Sequence, residues 1–142
     1  MDFFFNSTIN LLITKFLLAS LFGSMLFFTI IVAPTVFKVL DEKNARGFLR
    51  LVFPRLYLWG IILTALISIF LAQNSLINLI ISLTVIVGFI FSREVLTKKI
   101  NDASDKIRID KSFEKKFKFL HSLSVAIFSS QLLLLLILFF NI

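Results

Sequence analysis

His121 is the only histidine in the chain, and it lies where the last long apolar stretch begins. A histidine titrates near neutral pH, so this side chain would relay a proton, bind a metal or orient an anionic head group. The alternative is an interfacial histidine that bonds to a loop carboxylate or to a backbone carbonyl. Ionisable residues within membrane proteins are functional candidates by default, and His121 therefore defines the candidate site.

Several other residues lie at the ends of apolar stretches that would reach the same level of the membrane as His121. We predict a candidate polar cluster on the cytoplasmic side, made of Pro34, Arg55, Tyr57, Arg93, His121 and Ser124. In an enzymatic interpretation, Tyr57 and Arg93 would position the substrate. Arg93 would face inward with the polar stripe of its helix, or else extend to the lipid head groups. Successive helical residues point about 100° apart, so Glu94 would not face the same partner as Arg93.

The sequence contains no recognisable catalytic motif or metal-ligand spacing. It has no cysteine, which excludes disulfides, thiolate nucleophiles, zinc–thiolate sites and cysteine-ligated iron–sulfur clusters. A zinc site would need His121 together with acids such as Glu94, at no recognisable spacing. The four glycines are scattered and form no phosphate-binding loop. We therefore assign no catalytic residue, no metal ligand and no cofactor.

Four long apolar stretches decide the class of protein. They run over Phe16–Phe37, Leu56–Ala72, Leu76–Phe91 and Phe119–Phe140. About 20 mostly apolar residues form a helix that can cross the hydrocarbon core of a bilayer, and 58% of all residues are hydrophobic. The sequence predicts an all-α polytopic membrane protein with a single domain, residues 1–142, folded as a four-transmembrane-helix bundle. The predicted helices cover residues 8–37, 55–73, 76–97 and 118–141, with basic loops over 38–54 and 98–117.

The positive charges predict the orientation of the bundle. The net charge is +7 at pH 7, and Lys and Arg concentrate in the two basic loops, whereas the link Gln73-Asn74-Ser75 is uncharged. Short loops rich in Lys and Arg stay in the cytoplasm. We therefore predict a multi-pass protein of the bacterial inner (plasma) membrane with both basic loops in the cytoplasm and both termini outside. The expected partners are anionic lipids beside these loops and a second copy or a membrane-complex partner, and no nucleic acid.

Polar residues form a stripe on each of the last three predicted helices, and such stripes face the interior of a membrane bundle. Their members are Tyr57, Thr64 and Ser68 on the second helix, Asn78, Ser82, Ser92 and Arg93 on the third, and Ser124, Gln131 and the slightly offset His121 on the fourth. The simplest interpretation is hydrogen bonding between helices, worth roughly 0.6 kcal/mol per bond in measured cases.

Small residues and prolines predict how the helices pack and where they end. Ala19 and Gly23 are four residues apart, a spacing that lets helices approach closely in lipid. Pro34 would kink or end the first helix. Asp41 would cap a short helix in the first basic loop, and Pro54 would start the second transmembrane helix.

Three short motifs follow one another along the chain. Ala33-Pro34-Thr35-Val36-Phe37 ends the first helix, Phe53-Pro54-x-x-Tyr57 opens the second, and Phe117-x-x-Leu120-His121-x-x-Ser124 opens the fourth. In their order and spacing the chain resembles the transmembrane protein 205-like family of small four-helix membrane proteins, over essentially its whole length. The resemblance implies a four-helix membrane domain without an established biochemical activity.

The resemblance also implies which positions belong to the motifs: Pro34, Phe37, Pro54, Tyr57, His121 and Ser124. In that pattern an amide residue often follows the serine of the fourth helix by about one turn. Phe128 stands there in this chain, and Gln131 is the nearest amide. This departure weakens the expectation of a polar network in the fourth helix.

The sequence favours a non-enzymatic accessory, structural or transport-related membrane component, and two alternatives stay open. One is a small membrane oxidoreductase or oxygenase that acts on a lipid-soluble substrate or quinone, with His121 as base or ligand. It predicts a quinone-sized apolar cavity near the site residues. The other is a lipid-binding scaffold that uses the basic segment 98–118, and it predicts salt-sensitive binding of that segment to anionic vesicles.

Overall fold

The fold is helical throughout the part of the chain that the structure describes. A computed structural model describes residues 7–72, 75–107 and 109–142, and no strand occurs in these ranges. Four helical segments in them are long and apolar enough to cross a membrane: Thr8–Val39, Glu42–Leu71, Leu76–Lys106 and Phe113–Asn141. The chain is therefore an integral membrane protein with an all-α fold, which confirms the predicted fold class.

The first spanning segment contains a wide turn immediately before Pro34. Its parts are helix α1, Ser7–Phe27, a π-helical turn, Phe28–Val32, and helix α2, Ala33–Val39. At the end of the turn the Ala33 N–H bonds to the Phe28 carbonyl, five residues back. Proline has no N–H to donate, and its ring crowds the carbonyl four residues back. The wide turn accommodates Pro34, so the proline distorts the helix locally and does not end it.

Helix α3, Glu42–Leu71, corrects two predictions about the first basic loop. We expected a loop over 38–54 and a helix that starts at residue 55, but the connection ends at Asp41 and Pro54 lies inside the helix. The helix begins early because Asp41 caps it, with its Oδ1 accepting the Asn44 N–H at 3.3 Å. An internal proline is tolerated in membrane helices, where neighbouring groups and local adjustments satisfy the freed backbone carbonyl.

The second basic segment is also partly helical, which corrects the predicted loop over 98–117. Helix α4, Leu76–Phe91, continues through a second π-helical turn, Ser92–Leu96, into α5, Thr97–Lys106, and α6, Phe113–Asn141, follows. Helix α5 forms because it buries an apolar face. Its Ala103 is completely buried in a small cluster with Leu96 and Leu120. Residues 73–74 of the predicted uncharged link lie outside the described residues.

The main hydrophobic core lies between α1, α3, α4 and α6. Its buried members are Leu18, Leu21, Met25, Tyr57, Leu63, Ile67, Leu71, Val85, Phe89, Leu135 and Leu138. The smaller cluster around α5 is separate from this core. A space between the two clusters is therefore bounded by α3, α5 and α6.

The polar stripes face the interior, as predicted. Buried members of these stripes are Tyr57, Thr64, Ser68, Asn78, Ser82, Ser92 and Gln131. Ser68 Oγ donates to Ser82 Oγ at 2.9 Å and joins α3 to α4. Gln131 Nε2 donates to the Val85 carbonyl at 3.1 Å and joins α4 to α6. These bonds satisfy polar groups at a depth where water is scarce.

Two glycines, and not the predicted pair, let helices approach each other. A Cβ on Gly60 of α3 would lie 2.6 Å from the Phe89 ring of α4, and a Cβ on Gly88 would lie 2.9 Å from the Gln131 amide. Ala19 and Gly23 are instead exposed on α1, and a Cβ on Gly23 would meet nothing within 4 Å. Among the residues that the structure describes, no close approach is made at this pair, and a contact there with another chain stays a prediction.

Candidate functional site

A cavity of about 480 Å³ lies in the half of the bundle that carries the basic segments. Its walls come from the end of the first spanning segment, the first half of α3, α5 and the first half of α6. The apolar part of the lining includes Phe28, Phe37, Leu49, Phe53, Phe117, Phe128 and Leu132, and the polar part includes Glu42, Arg46, Arg50, Tyr57, Asn101, Ser104, His121 and Ser124. A cavity of this volume accommodates one drug-sized molecule.

The α3 wall changes from charged to aromatic along its length. Arg46, Arg50, Phe53 and Tyr57 all line the cavity, and their spacing of three and four residues places them on one helix face. At about 1.5 Å per residue, Arg46 and Tyr57 are about 16 Å apart along the helix axis. The cavity is therefore elongated, with a cationic end and an aromatic end.

The cationic end is held together by contacts between α3 and α5. Arg46 Nη1 donates to Ser104 Oγ at 3.5 Å, and its Nη2 lies 3.1 Å from Glu42 Oε1. Arg50 Nη1 donates to Asp105 Oδ2 at 3.2 Å, and its Nη2 donates to the Asn101 carbonyl at 3.3 Å. These contacts fix both guanidinium groups at the cavity wall.

The two arginines are more enclosed than the carboxylates that pair with them. The side chains of Arg46 and Arg50 are 29% and 34% exposed, whereas those of Glu42 and Asp105 are 82% and 65% exposed. Each carboxylate thus reaches into water while its guanidinium lies against the cavity. Such exposed ion pairs contribute little to stability, typically below about 1 kcal/mol.

A series of aromatic rings connects the cavity to the main core. The ring centroids of Phe28 and Phe53 are 5.1 Å apart, those of Phe53 and Tyr57 5.9 Å, and those of Tyr57 and Phe89 6.2 Å. Tyr57 is almost completely buried, and Ser124 lines the same cavity from α6. These two residues place hydroxyl groups at the otherwise apolar end.

His121 lines the same cavity from α6. Its ring stacks on that of Phe117, with centroids 5.9 Å apart and planes inclined by only 6°. The residue as a whole is exposed. A neutral imidazole offers one donor and one acceptor, which suits a hydroxyl, carbonyl or acidic group of a ligand.

The cavity opens sideways, between the first spanning segment and α6. Thr29 and Phe37 on one wall, and Val125 and Ser129 on the other, line the cavity and are also exposed on the outer surface. The last charged residue of α6 is Lys118, and the rest of that helix is uncharged. The opening between these walls therefore faces the bilayer, from about the head-group level inward.

The structure brings together half of the predicted cluster. Tyr57, His121 and Ser124 line one cavity. Arg55 is exposed, and its Nη1 bonds to the Leu51 carbonyl of its own helix. Arg93 pairs with Glu94 at 2.9 Å. Pro34, also exposed, is not among the cavity residues.

Arg46 and Arg50 are functional candidates that sequence reasoning missed. They were counted as loop charges, whereas they continue the face of α3 that carries Tyr57. The signal was present in their spacing, since positions 46, 50, 53 and 57 follow the three- and four-residue period of one helix face. This spacing indicates a common helix face only if the helix continues through Pro54.

Among the residues that the structure describes, no group of three or more His, Asp or Glu side chains could hold a metal ion. His121 has no second histidine with which to share a metal. The chemistry that this side-chain set offers is binding of an amphipathic molecule, with hydrogen bonding and proton exchange at His121.

The comparisons with known proteins give a family without an assigned activity. A family model described as a domain of unknown function (DUF4149) matches residues 16–140. No curated protein and no solved structure matches the chain. The match covers the second and third spanning segments, most of the first and fourth, and both walls of the opening, and it leaves the resemblance to the transmembrane protein 205-like family untested.

Proposed function

Because the chain belongs to the DUF4149 family, whose description assigns no activity, we propose its function from the cavity. The protein is a membrane component that binds one lipid-soluble, amphipathic molecule, in a non-enzymatic accessory or transport-related role. The observation that carries this proposal is the elongated cavity of about 480 Å³, which opens toward the bilayer and has a cationic end and an aromatic end. Ligand sites are commonly apolar clefts with a few placed polar groups.

Lateral entry explains why the opening lies between helices that are otherwise well packed. A lipid-soluble molecule partitions into the bilayer first, so a side opening gives it access without passage through water. Its polar group would stay at the level of Arg46 and Arg50, and its apolar part would lie against Phe53 and Phe128. The ligand would enter and leave through the same opening, which suits a carrier or an accessory subunit.

A cavity-blocking variant tests this proposal directly. The single tryptophan, Trp59, lies on α3 two residues beyond Tyr57, so energy transfer from Trp59 to a pyrene-labelled fatty alcohol reports binding near the cavity. In zwitterionic nanodiscs we expect saturable transfer, and Ser129→Phe should weaken it by about tenfold or more, since it narrows the opening. Ser130→Phe is the matched control, because Ser130 is also exposed on α6 and is not among the cavity residues.

Two outcomes of that titration would contradict the proposal. Transfer that rises in proportion to the probe, without saturation, would mean only partitioning into the bilayer. Equal affinity in the parent protein, Ser129→Phe and Ser130→Phe would place the probe elsewhere on the surface. Circular dichroism of each variant checks that the helices remain intact.

A small membrane oxidoreductase remains the second candidate, because His121, Tyr57 and Ser124 line the same apolar cavity. His121 would exchange a proton with a quinone-like substrate, and a partner or cofactor would exchange the electrons. Purified protein would then carry stoichiometric quinone, haem or metal, visible in its ultraviolet–visible spectrum and metal content and lost in His121→Ala. A clean spectrum without metal favours the binding role.

We also propose that the basic segments face the cytoplasm of a bacterial inner membrane, beside anionic lipids, with both termini outside. The clustering of Lys and Arg supports this orientation. The cysteine-free chain allows clean single-cysteine labelling at exposed positions. In intact spheroplasts, a membrane-impermeant maleimide should label Ala72→Cys and spare Ile109→Cys, which should react only after lysis. The reverse pattern would place the basic segments outside.

The relationship to the transmembrane protein 205-like family stays a proposal as well. Its support is that Phe37, Tyr57, His121 and Ser124, which belong to three separate motifs, line one cavity. Residues that lie far apart in the sequence and meet at one site are expected if the motifs describe a binding function. The two motif prolines act instead on the helices that carry those walls.

A further inference from the structure

We infer that the ligand of this cavity is a single-chain amphiphile with an acidic head group, a phosphate or a carboxylate, which Arg46 and Arg50 bind. The inference rests on the proposed function, since it concerns the same cavity. It adds the chemical class of the molecule and the residues that select it.

The placement of the charges gives the cavity one cationic end. Both guanidinium groups line it, one helical turn apart on the same face of α3. Asn101 and Ser104 of α5 line the same end and are neutral hydrogen-bonding groups. Glu42 is the only acidic residue among the cavity residues. A guanidinium is a planar fork of donors that matches the oxygens of phosphate and carboxylate groups.

The two arginines are available to a ligand because the carboxylates that pair with them are largely exposed. The carboxylates of Glu42 and Asp105 are much more exposed than the guanidinium groups. Solvent-exposed ion pairs are weak, so a head group that brings its own negative charge can replace one of them at small cost. The freed carboxylate would then be hydrated in place.

The volume and shape of the cavity fit one chain. About 480 Å³ suits one drug-sized molecule, and Phe53, Tyr57 and Phe128 line the aromatic end. The cationic end lies at the level of the basic segments, where the head groups of one leaflet also lie. An acidic amphiphile could therefore enter from the bilayer without moving its head group out of water.

Competition against the pyrene-labelled alcohol tests the head group. The competitors are dodecyl phosphate, dodecanol and dodecyltrimethylammonium, each expressed as its mole fraction in zwitterionic nanodiscs, and inorganic phosphate alone. We expect dodecyl phosphate to compete about tenfold or more better than the other two amphiphiles, since hydrogen bonds to charged groups are the stronger ones. Inorganic phosphate should not displace the probe. Displacement by inorganic phosphate at millimolar concentration would overturn the requirement for a chain.

Charge variants separate head-group binding from a structural role of the ion pairs. Arg50→Gln and Asp105→Asn both remove the Arg50–Asp105 ion pair, and Arg50→Gln also removes the bond to the Asn101 carbonyl, so a structural role predicts a loss in both variants. Head-group binding predicts that Arg50→Gln abolishes the preference for dodecyl phosphate, while Asp105→Asn keeps or increases it. Arg46→Gln and Glu42→Gln repeat the comparison at the second pair. Arg55→Gln is the matched control, because Arg55 is an exposed arginine of α3 outside the cavity.

The failure of this inference and the failure of the proposed function give different results. If the neutral probe binds saturably and Ser129→Phe blocks that binding, the binding function stands, whichever dodecyl compound competes best. Equal competition by all three dodecyl compounds would then overturn the acidic head group alone. Parallel losses in Arg50→Gln and Asp105→Asn would assign the arginines to structure and would also overturn the inference.

Discussion

Replacing Gly60 by alanine is expected to destabilise the bundle by about 2 kcal/mol. The new Cβ would lie 2.6–2.8 Å from three atoms of the Phe89 ring, closer than carbon atoms approach without repulsion. Phe89 is completely buried in the core, so its ring cannot move aside without shifting α4. Overpacking of this kind costs about 1–3 kcal/mol, and the helix propensity of alanine offsets about 1 kcal/mol at most. Unfolding in mixed micelles with increasing dodecyl sulfate, followed by circular dichroism, measures the loss.

Gly47→Ala is the matched control for this prediction. Gly47 lies on the same helix, and a Cβ there would meet nothing within 4 Å. Alanine is favoured over glycine in a helix interior by up to about 1 kcal/mol, so this variant should be as stable as the parent protein or more stable. If Gly60→Ala and Gly47→Ala unfold at the same dodecyl sulfate fraction, the close approach of α3 and α4 at Gly60 is contradicted.

The four spanning segments could be predicted from the sequence because lipid imposes a simple rule. A backbone in hydrocarbon must satisfy its own hydrogen bonds, so long apolar stretches become helices. Polar stripes must then face inward, and buried Thr64, Ser82 and Gln131 do so. These features depend on local composition and on helical periodicity, which a single sequence shows.

The continuity of the helices could not be predicted, because prolines and charges indicate interruption in a sequence. Pro54 and the charges around it were interpreted as the end of a loop, yet α3 runs through them from its Asp41 cap. Besides that cap, this end of α3 contacts α5, through pairs such as Arg50 and Asp105. Those residues are 55 positions apart, a separation at which the sequence gives no sign of pairing.

The predicted cluster residues that line the cavity differ from Arg93 in the regularity of the helix that carries them. Tyr57 and Ser124 are set in regular helix at the expected level. Arg93 lies in the π-helical turn Ser92–Leu96, where hydrogen bonds skip an extra residue and the angle of 100° per residue no longer holds. Ser92 at the start of that turn is buried as the stripe predicts, but the angle of 100° per residue gives no basis for placing Arg93 beyond it.

A second large destabilisation is expected for Phe89→Ala, which removes the ring that packs against Gly60. Loss of a buried Phe costs about 3–5 kcal/mol in soluble cores. In a bilayer the alternative environment of the ring is lipid, which is also apolar, so the free energy of moving the ring out of water is largely absent from that cost. The cost of the void in the core remains. We therefore expect a loss of roughly 2–3 kcal/mol. Phe91→Ala, at a partly exposed position of the same helix, should lose much less.

Combining Gly60→Ala with Phe89→Ala in a double-mutant cycle gives the sharpest test of this packing. With the ring gone, the new methyl group would enter the void instead of clashing, so Gly60→Ala should become neutral or stabilising in the Phe89→Ala background. The coupling energy should reach about 2 kcal/mol, within the range for residues in direct contact. Phe89 also packs against Tyr57, with ring centroids 6.2 Å apart, so the same cycle can be followed with the pyrene-labelled alcohol. If Gly60→Ala is neutral or favourable for both stability and probe binding in the Phe89→Ala background, then one contact, between a glycine and a ring, sets the position of the cavity's aromatic end. Additive losses would instead mean that Gly60 and Phe89 act independently.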